Sequence, residues 1–106
     1  MTTFDKRKDD AEAGYKHTQE IEFKANARRN KLLGLWAAEQ MGISGEDSAA
    51  YAKEVVVVDF NRPGEQDVLE KVHKDLTDKG LDISEQQVRK EMDEFLEVAR
   101  KQIRDE

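Results

Sequence analysis

Apolar positions along this chain recur with the spacing of amphipathic helices. In the last segment, five apolar residues follow one another at steps of 4, 3, 4 and 4: Val88, Met92, Phe95, Ala99 and Ile103. This spacing places them on one helix face. Ser84 and Gln87 come just before the stripe with the spacing of a capping box, in which each side chain satisfies an amide group of the first turn. The pattern predicts a helix over about residues 85–104.

The segment before it has a second clear stripe, which consists of Val68, Leu69, Val72 and Leu76. Acidic residues at its start and lysines at its end suit the helix dipole. Gly80 follows as a residue able to adopt the left-handed backbone that ends many helices. We therefore predict a helix over about residues 65–79.

The second segment is ambiguous because Val55 to Val58 are four consecutive β-branched residues. Propensity alone favours a buried strand there. A lone strand would lack hydrogen-bond partners, and the chain has no second β-rich run to supply them. Ser44 followed by Asp47 is also typical of a helix start. We predict a helix over about residues 45–60.

The first segment is the longest and is predicted as a helix over about residues 18–41. Four of its residues are expected near one face: Phe23, Ala27, Trp36 and Gln40. Leu32, Leu33 and Leu35 flank this face. Apolar residues on more than one side indicate either the central helix of a bundle or a docking element for a partner, and we favour the central helix.

The apolar pattern fades before residue 18, where charges of both signs dominate. Such a stretch buries too little to order itself, and Gly14 lowers its helix propensity further. Phe4, Ala11 and Tyr15 are nevertheless spaced by 7 and 4 residues, so a helix formed on contact with a partner groove would have one apolar stripe. The prediction is an all-α, four-helix bundle-like single domain over residues 18–106, with a mobile N-terminal arm over residues 1–17.

Composition narrows the function. The chain has 106 residues, a formal net charge of -6 and no cysteine. An acidic protein lacks the basic face that phosphate backbones require, so nucleic acid is not an expected partner. No apolar run approaches the ~20 residues of a membrane span, and the first residues lack a secretory pattern. We expect a cytoplasmic protein that is monomeric when free and does not insert into the membrane.

Candidate catalytic chemistry is sparse. His17 and His73 lack metal-ligand spacing, no glycine-rich phosphate loop is present, and Ser44 and Ser84 are better explained as helix caps. We therefore expect no enzyme activity, no metal and no resident cofactor. One local cluster, which consists of Arg28, Arg29 and Lys31 near Trp36, is either a solvated helix turn or a contact for an acidic partner or for nucleotide phosphates. Weak ATP or ADP binding is the chemistry that the second option implies.

Several motifs together carry a family resemblance. The most specific is the run from Ala27 to Glu39, Ala-Arg-Arg-Asn-Lys-Leu-Leu-Gly-Leu-Trp-Ala-Ala-Glu. Further matches are Phe4-Asp5, Phe23-Lys24-Ala25, Tyr51-Ala52-Lys53, Asp59-Phe60, Pro63-Gly64 and Asp75-Leu76. With these motifs the chain resembles the zeta inhibitor subunit of alphaproteobacterial F-type ATP synthases over nearly its whole length.

The resemblance implies a four-helix domain whose N-terminal region enters an α/β catalytic interface of the soluble head, near the γ subunit of the rotor, and blocks ATP hydrolysis. The arm positions that match the family are Phe4, Asp5, Arg7, Glu12, His17 and Glu20. We add Tyr15 as an apolar anchor beside Phe4, and Lys16 as a contact with the rim of the interface. Ala11 and Gly14 depart from the family pattern, which has an aromatic residue and a lysine there, and both changes weaken the arm.

Two other hypotheses stay open at this stage. The chain could be a regulatory protein that binds ATP or ADP with little inhibitory action, or an inert interaction module. His17 also suggests a pH switch, since an imidazole in an interface titrates near neutrality.

Overall fold

The computed structural model describes the backbone of residues 2–61 and 64–106, and the side chains of residues 19–59, 61 and 64–106. Four helices follow one another along the chain: α1 (Thr2–Gln40), α2 (Gly45–Asn61), α3 (Glu65–Asp78) and α4 (Glu85–Asp105). No strand occurs in the described ranges, so the all-α, four-helix prediction is confirmed. The division into an arm over residues 1–17 and a domain over residues 18–106 stays a prediction, because the arm's side chains lie outside the described residues.

The valine run of the second segment is helical, as predicted. Val55 is fully buried, Val56 and Val58 are half-buried, and Val57 remains 43% exposed. A strand would have pointed alternate valines to opposite sides, whereas a helix gives each a different environment. The missing strand partner therefore decided the outcome over local propensity.

The start of α4 and the end of α3 follow the rules of local capping. The Ser84 hydroxyl accepts a hydrogen bond from the Gln87 amide at 3.2 Å, and the Gln87 side chain accepts one from the Ser84 amide at 3.1 Å. The predicted capping box is thus confirmed. At the end of α3, Gly80 takes the left-handed backbone (φ 80°), which lets the Leu81 amide bond back to the Leu76 carbonyl at 3.1 Å. This pattern is a Schellman motif, and the half-buried Leu81 packs on the core beneath it.

The core lies where the apolar sides of all four helices meet. Its buried residues are Leu33, Ala37, Ala38, Tyr51, Val55, Val68, Leu69, Val72, Leu76, Val88 and Met92. The predicted stripe of α3 is buried completely, and α1 packs against all three other helices. The expectation that the first segment forms the central helix is therefore confirmed.

The buried face of α1 is not the face that the sequence suggested. Phe23 is 64% exposed, and Gln40 is exposed as well. Two neighbouring rows at i, i+4 spacing are buried instead: Ala25, Arg29, Leu33 and Ala37, then Asn30, Gly34 and Ala38. Most of these residues are small, so α1 is buried where neighbouring helices can approach it closely and not where its largest apolar groups lie.

Gly34 marks the closest approach. A Cβ atom added to Gly34 would lie 2.6 Å from the Cα of Ala52 on α2, a backbone atom that cannot move aside. The contact between α1 and α2 therefore requires glycine at this position. This requirement fixes the distance between the two helices and, with it, the position of α1 on the body.

Candidate regulatory surface along the first helix

Most of the predicted arm residues cannot be placed from their side chains. Phe4, Asp5, Arg7, Glu12, Tyr15, Lys16 and His17 lie outside the residues whose side chains the structure describes. Glu20 is described and is exposed on α1. The roles assigned to these positions stay predictions.

The cluster of Arg28, Arg29 and Lys31 divides among different environments. Arg29 is only 2% exposed, and its Nη1 donates to Oε1 of Glu65 on α3 at 2.9 Å. Arg28 instead pairs with Glu106 at the end of the chain. Lys31 is exposed. Arg29 thus differs from the solvated turn that the sequence suggested, and both guanidinium groups have intramolecular partners.

Trp36 completes the predicted nucleotide site, and it is half-buried and packed against the core. Arg29 lies two turns before it, near the same side of α1. Lys31 lies ~140° from Trp36 around the helix axis, given 3.6 residues per turn. The four candidate residues therefore do not form one common surface, and nucleotide binding there stays an untested hypothesis.

Glu65 connects three helices through its carboxylate. Besides its bond to Arg29, it lies 3.8 Å from Nη1 of Arg89 on α4. Glu65 is the first residue of α3, where a negative charge also suits the helix dipole. The sequence offered one signal for this arrangement that was missed: Arg29 stands at i, i+4 spacing between Ala25 and Leu33, in a row that is otherwise small or apolar.

Asn30 is fully buried beside Arg29. Its Oδ1 accepts a hydrogen bond from Nε of Arg29 at 3.1 Å, which fixes the orientation of the amide group. The opposite atom, Nδ2, is buried without an acceptor among the described residues. Buried polar groups are normally paired. The polar cluster under α1 is therefore less completely satisfied than the apolar core around it.

A second polar contact joins α1 to α4 closer to the arm. Nε and Nη2 of Arg100 donate to the two carboxylate oxygens of Glu22, each at 2.9 Å. The hydrogen bond from Arg100 lowers the pKa of Glu22, against a smaller opposing effect of burial. The same bond raises the pKa of Arg100. Both groups are thus held in their charged forms.

A third cluster lies in an open groove between α2 and α3. The Tyr51 hydroxyl donates to Oδ2 of Asp75 at 2.8 Å, and Nζ of Lys71 donates to the same oxygen at 3.1 Å. Burial, together with the bond to Asp75, raises the pKa of Tyr51. Because these groups bond to one another and the phenol stays protonated, the cluster stabilises the packing of α2 on α3 and offers no activated nucleophile.

No group of three or more potential ligands among the described residues could hold a metal ion. In the same part of the chain, the helices lack the combination of length and apolarity that crossing a bilayer demands. Three ion pairs join α1 to other parts of the domain: Glu22 with Arg100, Arg28 with Glu106 and Arg29 with Glu65. They relate the first helix to the rest of the domain.

The fold and these contacts define a class, the small all-α domain with four helices and a long first helix whose position is set by small residues and ion pairs. Within this class, the model of the family ATPase inhibitor subunit zeta matches residues 1–102. The chain belongs to that family. Membership indicates a regulatory rather than a catalytic role and implies association with an ATP synthase.

A solved structure supports the same fold. A protein whose structure was determined by solution NMR aligns with this chain at 47% sequence identity and a TM-score of 0.70. The alignment covers 80% of this chain and 96% of that one. No curated protein matches the chain.

Proposed function

We propose that this chain inhibits ATP hydrolysis by F-type ATP synthase, and that residues 1–17 do so by entering an α/β catalytic interface of the soluble head near the γ subunit. The family match carries the proposal, because it begins at residue 1 and so includes the predicted arm. The head projects into the cytoplasm, where we place the chain.

In this mechanism the arm acts as a wedge. Hydrolysis requires the α/β interface to close, and a helix lying in the open interface prevents closure by steric contact. Phe4 and Tyr15 supply apolar anchors, while Arg7, Lys16, Glu12 and neighbouring charges pair with the rim. Immobilising the side chains of such a segment on binding costs free energy, which its contacts must offset.

Contacts of the described residues support a body that holds the arm. Gly34 permits the close contact of α1 with α2, and Arg29 and Glu22 bind the same helix to α3 and α4. A rigidly held first helix presents its N-terminal extension at a defined place. Rigid presentation lowers the entropy lost when the extension binds.

The test is an ATPase assay of the purified soluble head with the full chain and with a chain that lacks residues 1–17. We expect inhibition by the full chain and its loss in the shortened one. Thermal unfolding of both chains is the control, because the four-helix domain must remain folded for the comparison to be valid. Equal inhibition by the two chains would rule out the wedge.

The nucleotide hypothesis has less support, since Arg28 and Arg29 are paired within the chain. Titration with ATP and ADP, followed by Trp36 fluorescence, separates it from inhibition. The same titration of Lys31→Gln shows whether the exposed cation contributes to any saturable response. A response in the intact chain that Lys31→Gln removes would restore this hypothesis.

A further inference from the structure

The place where α4 meets α1 lies only a few residues beyond the predicted arm. There Arg100 donates two hydrogen bonds of 2.9 Å to Glu22, one to each carboxylate oxygen. A bidentate pair of this kind fixes orientation as well as distance, because the guanidinium and carboxylate planes must match. The contact therefore controls the direction of α1 at residue 22.

Arg100 is itself held in place. Its third nitrogen, Nη1, donates to Oε1 of Glu97 at 2.9 Å, one turn earlier on α4. The guanidinium thus has partners on both sides and remains 36% exposed. Because the guanidinium is held against α4, its bonds to Glu22 fix this part of α1 relative to α4.

Small side chains bring the two helices together at this point. Ala25, one turn after Glu22, and Ala99, which precedes Arg100, are both fully buried. Each alanine contributes little apolar area, and the bidentate pair beside them adds a fixed direction to this packing. The Arg28–Glu106 pair adds a second link between α1 and the end of the chain.

We propose that Arg100 is a positioning residue for inhibition, because its two hydrogen bonds to Glu22, which together form a fork, fix the part of α1 around Glu22. This part of α1 is the root from which residues 1–17 extend. The inference rests on the proposed function and names the contact that controls it. Arg100 does not touch the enzyme in this account. It acts through Glu22 on the helix that carries the arm.

The physical reason lies in how helices form. Starting a helix is costly because several residues are fixed before the first hydrogen bond is gained, whereas each later residue adds a bond of its own. A turn already held at Glu22 is a ready nucleus from which helix can propagate into the arm. Without the fork, α1 loses the fixed turn from which its helix continues back to Thr2.

The experiment compares inhibition by the full chain and by variants at the fork. We expect Arg100→Gln and Glu22→Gln each to raise the half-inhibitory concentration by about fivefold, the upper range for a partly exposed ion pair. Lys101→Gln is the matched control, since it removes the same charge from the next, exposed residue of α4. It should inhibit as the unmodified chain does.

Exchange of the two charges tests whether the pair itself, and not either side chain alone, is required for inhibition. The chain E22R/R100E also carries Glu97→Gln, because a carboxylate at position 100 would otherwise face Glu97. This chain should recover inhibition to within about twofold, since the pair is restored with reversed polarity. Glu97→Gln alone serves as its reference.

A spectroscopic measurement reports the root directly. The chain has no cysteine, so Lys16→Cys and Gln86→Cys introduce two unique sites for spin labels. The distance distribution between the labels should broaden in Arg100→Gln and narrow again in the charge-exchanged chain. Thermal unfolding of each variant shows that the body stays folded.

The outcomes distinguish this inference from the function on which it rests. An unmodified chain that fails to inhibit overturns the proposed function, and the positioning role falls with it. An unmodified chain that inhibits, beside an Arg100→Gln chain equal to Lys101→Gln, overturns the positioning role alone. A loss in Arg100→Gln that charge exchange does not recover also overturns it, because the loss then does not depend on the pair with Glu22.

Discussion

The apolar core and the α1–α4 contact hold this molecule in different ways. The core buries large aliphatic side chains from all four helices, including Leu33, Val72, Leu76 and Met92. The α1–α4 contact near residue 22 buries Ala25 and Ala99, and it includes the partly exposed pair of Glu22 and Arg100. The first arrangement stabilises the fold through buried area, and the second defines direction through a few oriented bonds.

This difference separates stability from the placement of α1. Substitutions in the core should change the free energy of unfolding strongly, because buried area scales with stabilisation. Substitutions at the α1–α4 contact should change it little, yet they alter how the first helix leaves the body. In a regulatory subunit built in this way, a substitution can change the affinity for the target while the domain remains folded.

The largest effect is expected for Leu76→Ala. Leu76 is fully buried in the core, so its truncation removes apolar contacts and leaves a cavity. We expect a loss of about 3 kcal/mol in the free energy of unfolding, measured by urea denaturation. Val98→Ala is the control on an exposed apolar residue of α4 and should change that free energy by less than about 0.5 kcal/mol. Equal losses in both would contradict the assignment of the core.

Gly34→Ala should be the next most damaging. The new methyl group would meet the Ala52 Cα at 2.6 Å, and the two helices must move apart to accommodate it. Overpacking of this kind costs about 2 kcal/mol, even though alanine by itself favours a helix by roughly 1 kcal/mol over glycine. Urea denaturation measures the loss, and Ala49→Gly at an exposed position of α2 calibrates the propensity difference. A stabilised Gly34→Ala chain would show that the helices do not approach so closely.

These two residues also show what the sequence could and could not predict. Leu76 belongs to a periodic stripe within one helix, and the Ser84–Gln87 capping box spans a single turn, so local pattern was sufficient for both. Gly34 and the buried Arg29 depend on partners that lie on other helices, Ala52 and Glu65, and no local pattern specifies these. The buried face of α1 was predicted wrongly because the prediction followed large apolar residues such as Phe23. The buried face is instead the one whose small residues let other helices approach closely.

The candidate site was anticipated less completely than the fold. The resemblance supplied the arm positions other than Tyr15 and Lys16, and all of them remain predictions. The basic cluster was recognised, but its separation into a buried Arg29 and a peripheral Arg28 follows from three-dimensional packing. Glu22 and Arg100 are far apart in sequence and lie on different helices, so neither stood out among the many surface charges of the chain.

A smaller effect is expected for Glu65→Gln, which tests the polar cluster under α1. The variant leaves the buried Arg29 guanidinium without its charged partner, while Glu65 itself is half-exposed and admits water. We expect a loss of about 1–2 kcal/mol in the free energy of unfolding, below the cost for a fully buried pair. Glu94→Gln, on the exposed side of α4, should be neutral. An unchanged free energy in Glu65→Gln would mean that Arg29 is satisfied by other groups.

The smallest effect on stability is expected at the α1–α4 contact, and its pH dependence identifies the cause. The hydrogen bond from Arg100 lowers the pKa of Glu22 in the folded chain, so the fork contributes stability above the ordinary glutamate pKa of about 4.3. That contribution is lost as the pH falls through the lowered value. Glu22→Gln should therefore cost less than about 1 kcal/mol at neutral pH, and the difference from the unmodified chain should vanish in acid. Urea denaturation of both chains across this range, with NMR titration of the Glu22 carboxyl, measures the two quantities together. A difference that persists in acid would assign the effect of Glu22 to packing, and the contrast between an apolar core and a charge-directed contact would no longer hold.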